Sequence, residues 1–121
     1  MRILVVEDDA LIALSIEDIL TEAGHTVVGL APSKLRAAHL IQQTHPDMAL
    51  IDIRLADGMT GIDLARDCAK SHVASLIVSA LPHEIDETLP EFPFLPKPFT
   101  SGMLLRSVTK LGRAIGRSEA A

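Results

Sequence analysis

Short apolar runs alternate with longer stretches in which apolar residues recur every three or four positions, and the alternation repeats five times between Ile3 and Ile115. Runs too short for helices, bounded by turn residues, read as strands; the stretches between them read as amphipathic helices. The first strand is Arg2–Val6 and the next helix carries Ile12, Ile16, Ile19, Leu20 and Ala23, with Gly24 as its stop. A second strand over residues 26–30 leads to a helix with Pro32 in its first turn, Leu35, Ala38 and Ile41 on its inner face, and an end before Pro46. Met48–Ile51 is a third strand, and residues 62–70 form a helix turning Ile62, Leu64, Ala65 and Cys68 inward. Residues 76–78 form the fourth strand, with Ser79 and Ala80 behind it. A helix of about two turns fits residues 83–89 before Pro90 and Pro93 forbid continuation. Phe94 and Leu95 make a short fifth strand, and residues 101–116 a last helix with Leu104, Val108, Leu111 and Ile115 on one face.

Strands alternating with helices predict an α/β fold with parallel strands joined by crossover helices. The uninterrupted Met48–Ile51 run suits a central strand buried on both faces. Residues 1–117 read as one domain followed by a tail over 118–121, with no repeat or linker, and 48% apolar content in 121 residues suffices for a real core.

Composition narrows the function. Sixteen acidic against eleven basic residues give a net charge of -5, which disfavours direct nucleic-acid binding. The single cysteine, Cys68, excludes an internal disulfide and a cysteine-based metal cluster, and reads as a small buried hydrophobe. The five histidines lack the short spacing of a shared metal site and read as surface or loop residues. Acid at Glu7 interrupts the amino-terminal apolar run too early for a signal peptide, and no segment approaches the roughly 20 apolar residues of a membrane span, so a cytoplasmic protein without membrane contact is expected.

The chemistry gathers at strand ends. Glu7, Asp8 and Asp9 follow the first strand, Asp52 the third, Ser79 the fourth and Lys97 the fifth. In an open parallel sheet the carboxyl ends of the strands converge on a crevice, so these residues should meet. Clustered carboxylates repel unless a cation or proton intervenes, and an all-oxygen ligand set suits Mg²⁺. An aspartate can also accept a phosphoryl group. Asp52 as acceptor, Mg²⁺ held by Asp8 with Glu7 nearby, and Ser79 and Lys97 as donors to the phosphoryl oxygens supply the parts that such a transfer needs. Asp9 reads as the cap of the first helix.

In this order and spacing, Ile3-Leu4-Val5-Val6-Glu7-Asp8-Asp9, Leu50-Ile51-Asp52 with Asp57, Gly58 and Gly61 behind it, Ile77-Val78-Ser79-Ala80 and Lys97-Pro98-Phe99 resemble the receiver domain of bacterial two-component response regulators, over Ile3 to about Ile115. The resemblance implies a flavodoxin-like, doubly wound five-stranded parallel sheet of order 2-1-3-4-5 with helices on both faces. It implies Asp52 as the phosphorylated residue and Asp8 as a direct Mg²⁺ ligand, with Glu7 acting through metal-bound water and Arg54 lending its backbone carbonyl. It implies Ser79 as the switch hydroxyl, Lys97 as the lysine that pairs with the phosphoryl group, and a cis Lys97-Pro98 bond. Phe94 falls at the family's aromatic switch position, where a plain core phenylalanine is the alternative. The implied partners are a sensor histidine kinase or histidine phosphotransfer protein and a downstream protein target.

This chain departs from the pattern in two places. Ala56 stands where proline is common, and the interval from Ser79 to Lys97 is short and crowded by Pro90, Pro93 and Pro96. With no output domain after Ile115, a stand-alone regulator or a receiver excised from a longer chain is expected. An aspartyl-phosphate-type hydrolase would need a second acid near Asp52, but Ile53 and Arg54 follow it. A receiver that binds partners without phosphorylation is the other alternative. Arg106, Lys110, Arg113 and Arg117 line one face of the last helix, close in sequence to Glu84, Asp86, Glu87 and Glu91, which suggests weak homodimerisation or partner docking there.

Overall fold

The computed structural model describes residues 1–80 and 92–120, and of residues 117–120 the backbone alone. The helix expected over 83–89, the acids Glu84, Asp86, Glu87 and Glu91 and the Arg117 side chain lie outside the described residues. The described elements run β1 (Arg2–Val6), α1 (Ala10–Glu22), β2 (Thr26–Ala31), α2 (Lys34–Thr44), β3 (Met48–Ile51), α3 (Gly61–Lys70), β4 (Ala74–Ser79), β5 (Phe94–Pro96) and α4 (Ser101–Ala120). All four strand pairings are parallel, in the order β2-β1-β3-β4-β5. This is the flavodoxin-like arrangement expected from the sequence.

Alternation along each strand divides the core in two, because successive side chains point to opposite faces of a sheet. Ile3, Val5, Met48, Leu50, Leu76 and Val78 pack with Ala13, Ile16 and Leu20 of α1 and Leu104 and Val108 of α4. Leu4, Val6, Ala49, Ile51 and Ile77 pack on the other face with Ala37 and Leu40 of α2 and Leu64, Ala65 and Cys68 of α3. β3 is buried along its whole length, since helices cover both of its faces. Each large aliphatic side chain in these layers contributes about 1.5–3 kcal/mol through burial.

The helices follow the expected chemistry with three corrections. Asp9 caps α1 by accepting from the Leu11 and Ile12 amides at 3.0 and 3.3 Å, and Gly24 takes the left-handed conformation at φ 92° just past the helix. Pro32 does not enter α2: Ser33 is its N-cap, with Oγ accepting from Arg36 N at 3.1 Å, and the helix starts at Lys34. The inner face of α2 is also shifted. Ala37 and Leu40 are buried and Ile41 half-buried, whereas Leu35 is 69% exposed and Ala38 is exposed. The cause is tertiary. Asp57, from the loop after β3, accepts from the Lys34 and Leu35 amides at 3.1 and 3.3 Å and fixes the first turn with Leu35 outward. α4 runs to Ala120, past the expected end at Gly116. Cys68 is buried as expected, and burial pushes its thiol up to about 11. No helix of the described residues is long and apolar enough to cross a membrane.

Candidate functional site

The switch point of the sheet lies between β1 and β3, the strands carrying the acidic residues. The Asp52 amide donates to Val6 O at 3.0 Å and the Glu7 amide to Ala31 O at 2.9 Å, so the backbone locks the ends of β3, β1 and β2 together. The carboxylates of Glu7, Asp8 and Asp52 consequently converge, with ligand oxygens all within 4.8 Å of one another. Glu7 is buried, Asp52 nearly so, and Asp8 exposed at the mouth.

Lys97 reaches this cluster from the end of β5. Its Nζ donates to Glu7 Oε2 at 2.7 Å and to Asp52 Oδ2 at 2.9 Å. The Lys97 amide donates to Ser79 O at 3.0 Å, tying the residue to the end of β4, and the Lys97-Pro98 bond is cis, as expected. Glu7 uses its other oxygen too: Oε1 accepts from the Asp9 amide at 3.1 Å. Asp52 Oδ1 accepts from the Arg54 amide at 3.3 Å, while the Arg54 side chain stays exposed. Ser79 is fully buried at the end of β4. Phe94 is half-buried and packs against the α2–α3 side of the core, the setting of a core phenylalanine as much as of a switch.

The electrostatics follow from this packing. Burial pushes the Glu7 carboxyl up to about 7, against the hydrogen bonds from Lys97 and the Asp9 amide, and the charge of Asp52 adds to the rise. Burial works against the Lys97 ammonium, yet the hydrogen bonds to Glu7 and Asp52 more than offset it and raise its value. When all three carboxylates are ionised, one ammonium leaves two formal negative charges in the cluster. A divalent cation with oxygen ligands would neutralise that excess, so the donor set fits Mg²⁺.

The structural roles of two residues escaped the sequence reading. Gly61, placed by the sequence only among the residues behind Asp52, opens α3 against the backbone of β3's end: a Cβ there would lie 2.0 Å from Asp52 O and 2.7 Å from Ile53 Cα. Asp57, besides holding the start of α2, accepts from Thr60 Oγ1 at 2.9 Å, and so braces the loop between Asp52 and α3. A glycine at the first position of a helix, where no cap requires it, was the one signal available for Gly61.

This fold and acidic pocket define a response regulator receiver. The family profile described as response regulator receiver domain matches residues 3–109, and the chain belongs to that family, whose members act in two-component signalling. It is similar to the phyllosphere-induced regulator PhyR of Methylorubrum extorquens, with 36% identity over 102 residues that make up 81% of this chain and 38% of that protein. It is also similar to the chemotaxis protein CheY of Thermotoga maritima, at 26% identity over 93% of this chain and 98% of CheY. Among solved structures, the anti-anti-sigma factor PhyR from Bartonella quintana superposes with a TM-score of 0.88 at 27% identity, covering 98% of this chain and 50% of that one. The chain thus spans half or less of the PhyR proteins it matches.

Proposed function

We propose that the chain is a phosphoacceptor switch. A sensor histidine kinase or histidine phosphotransfer protein donates a phosphoryl group to Asp52, and the resulting phosphoaspartate changes binding of a downstream protein. The observation that carries this reading is Lys97 Nζ bridging Glu7 and Asp52 at 2.7 and 2.9 Å, beside an exposed Asp8 and at the end of the strand next to Ser79. A carboxylate oxygen of Asp52 attacks phosphorus, the bond from phosphorus to the donor nitrogen breaks, and the imidazole leaves. Lys97, already on Asp52, follows the developing charge on the phosphoryl oxygens. Ser79 donates to the same group after transfer, with Phe94 the aromatic residue that registers its movement. Asp8, Asp52 and the Arg54 carbonyl would hold Mg²⁺, with Glu7 through water; the ion would supply the positive charge that lets an acidic pocket accept a phosphoryl dianion.

An apolar cleft of about 540 Å³, walled by Ile12, Ile16, Phe99 and Lys97, adjoins the site through Lys97 and offers a seat for a donor protein. Like other receivers, the chain works as a signalling module, its chemistry confined to its own phosphorylation and dephosphorylation. The downstream partner belongs to the anti-sigma class if the likeness to the anti-anti-sigma factor of Bartonella quintana extends to function. Incubation with Mg²⁺ and acetyl phosphate followed by intact mass measurement tests the core of the proposal. A gain of one phosphoryl group that needs Mg²⁺ and vanishes in Asp52→Asn is expected. No gain in the wild type, or the same gain in Asp52→Asn, overturns it.

A further inference from the structure

Among the described residues the sheet has two edges, β2 and β5. β5 is guarded: it has three residues, follows Pro93 and ends on Pro96, and proline cannot donate to a neighbouring strand. β2 is not. Its six residues, Thr26–Ala31, hold no charge and no proline, and no described strand pairs with their outer side. An irregularity sorts the groups along that side. Ile3 pairs with Val27 and Leu4 with Gly29, so Val28 is an extra residue in β2. At its two ends β2 turns toward β1: the Thr26 amide donates to Met1 O at 2.9 Å, and Ala31 O accepts from the Glu7 amide at 2.9 Å. Successive strand residues turn their N–H and C=O to alternate sides, so Val27 and Leu30, one step in from each end, turn theirs outward. The side chains agree. Val27 and Leu30 pack on the α1 side, Val28 packs on the α2 side, and a Cβ on Gly29 would meet Leu40 of α2. Val27 and Leu30 are thus related about the centre of the strand in both backbone and side chain.

We propose that β2 pairs with β2 of a second copy, antiparallel about a two-fold axis normal to the sheet, so that the two sheets join into one. The symmetry of the outward groups selects a second copy as the occupant and sets the register. Val27 of each protomer faces Leu30 of the other, and each facing pair exchanges both of its hydrogen bonds. An axis normal to the sheet keeps each face on its own side, so Val27 and Leu30 of both copies make one apolar row between the two α1 helices. Leu14, 48% exposed, extends that row. It lies on the flank of α1 opposite Ile12, Ser15 and Ile19, which line the cleft toward Phe99. The joined strands run in opposite directions, so the Asp52 ends of the two sheets point away from each other, and both sites and both clefts stay open.

Sedimentation equilibrium and disulfide trapping test this. Wild type should dimerise at about 1 mM, and about 0.5 M salt should not separate the pair, because backbone and apolar groups rather than charges make the contact. Trapping uses Val27→Cys and Leu30→Cys, each in a Cys68→Ala background. Facing residues of a hydrogen-bonded antiparallel pair lie about 5.5 Å apart at Cα, within disulfide reach, whereas Val27 and its own copy lie about 10 Å apart. A mixture of the two variants should therefore cross-link at least about tenfold faster than either alone. Val27→Pro removes an outward N–H from each copy and should weaken dimerisation by at least about tenfold. Circular dichroism melts confirm that each variant is folded. A wild type that stays monomeric at about 1 mM, a mixture that cross-links no faster than its components, or a folded Val27→Pro that dimerises as tightly as wild type each overturns the proposal.

Discussion

Gly61→Ala perturbs a close backbone approach beside Asp52. The added Cβ would lie 2.0 Å from Asp52 O, 2.8 Å from Asp52 C and 2.7 Å from Ile53 Cα. All three atoms belong to the strand end that carries Asp52, and none is the tip of a flexible side chain. Ordinary contact requires about 3.5 Å, so α3 and the end of β3 must part by roughly 1.5 Å. That movement breaks the 3.0 Å bond from the Gly61 amide to Ile53 O. Overpacking costs about 1–3 kcal/mol and the lost hydrogen bond about 1, so a loss of about 3 kcal/mol follows. For 121 residues the unfolding entropy converts this to a fall in Tm of about 12 °C. Since Asp52 itself is displaced, phosphorylation by acetyl phosphate, followed by mass at a temperature where the variant is folded, should slow by about tenfold or more. Gly116→Ala is the control: nothing lies within 4 Å of its Cβ, and it should stabilise α4 by up to about 1 kcal/mol. A Gly61→Ala melt within about 3 °C of wild type, with an unchanged phosphorylation rate, would show that the strand end yields at little cost and that the close approach does not position Asp52.

Asp8→Ala should weaken Mg²⁺ binding measured by calorimetry, whereas Asp9→Ala should leave that affinity near wild type and instead lower stability by about 1 kcal/mol through the lost cap; equal losses of affinity refute the division of labour within the acidic triplet. Asp57 is held below its ordinary value of 3.8, chiefly by the hydrogen bond from the Lys34 amide. A depressed carboxylate stabilises the fold above its unfolded value and loses that contribution as pH falls through the folded one. The difference in melting temperature between wild type and Asp57→Ala should therefore be full above about pH 5 and shrink below about pH 4; a difference that stays constant down to pH 2.5 would mean that the loop is not braced by the ionised carboxylate.

Legibility in the sequence followed the range of the determining contacts. Met48–Ile51 was readable as a central strand because burial on both faces leaves no polar position, a property of the strand alone. Asp9 was readable as a cap because the amides it accepts from lie two and three residues away. The inner face of α2 was misread because Leu35 is apolar, and its orientation depends on Asp57, 22 residues away. Gly61 was missed for the same reason: what demands a glycine there is the close approach of another backbone segment, which no periodicity records.

The site was more legible than those details because topology does most of its assembly. Once strands are known to be parallel, every residue one step past a strand end is delivered to the same edge, whatever the helices between them do. Sequence separations of 45 and 90 residues between Lys97 and its two partners therefore presented little obstacle. What topology leaves open is which carboxylate meets the lysine. Lys97 selects Glu7 and Asp52 and leaves Asp8 at the mouth, and that choice has chemical content. The buried pair is neutralised from within, while the exposed acid faces solvent, where an incoming cation must shed its water. An isolated aspartate at a strand end reads equally well as a helix cap; here Asp9 does that work for α1, and among the described residues Asp52 has Lys97 and the Arg54 amide on its oxygens.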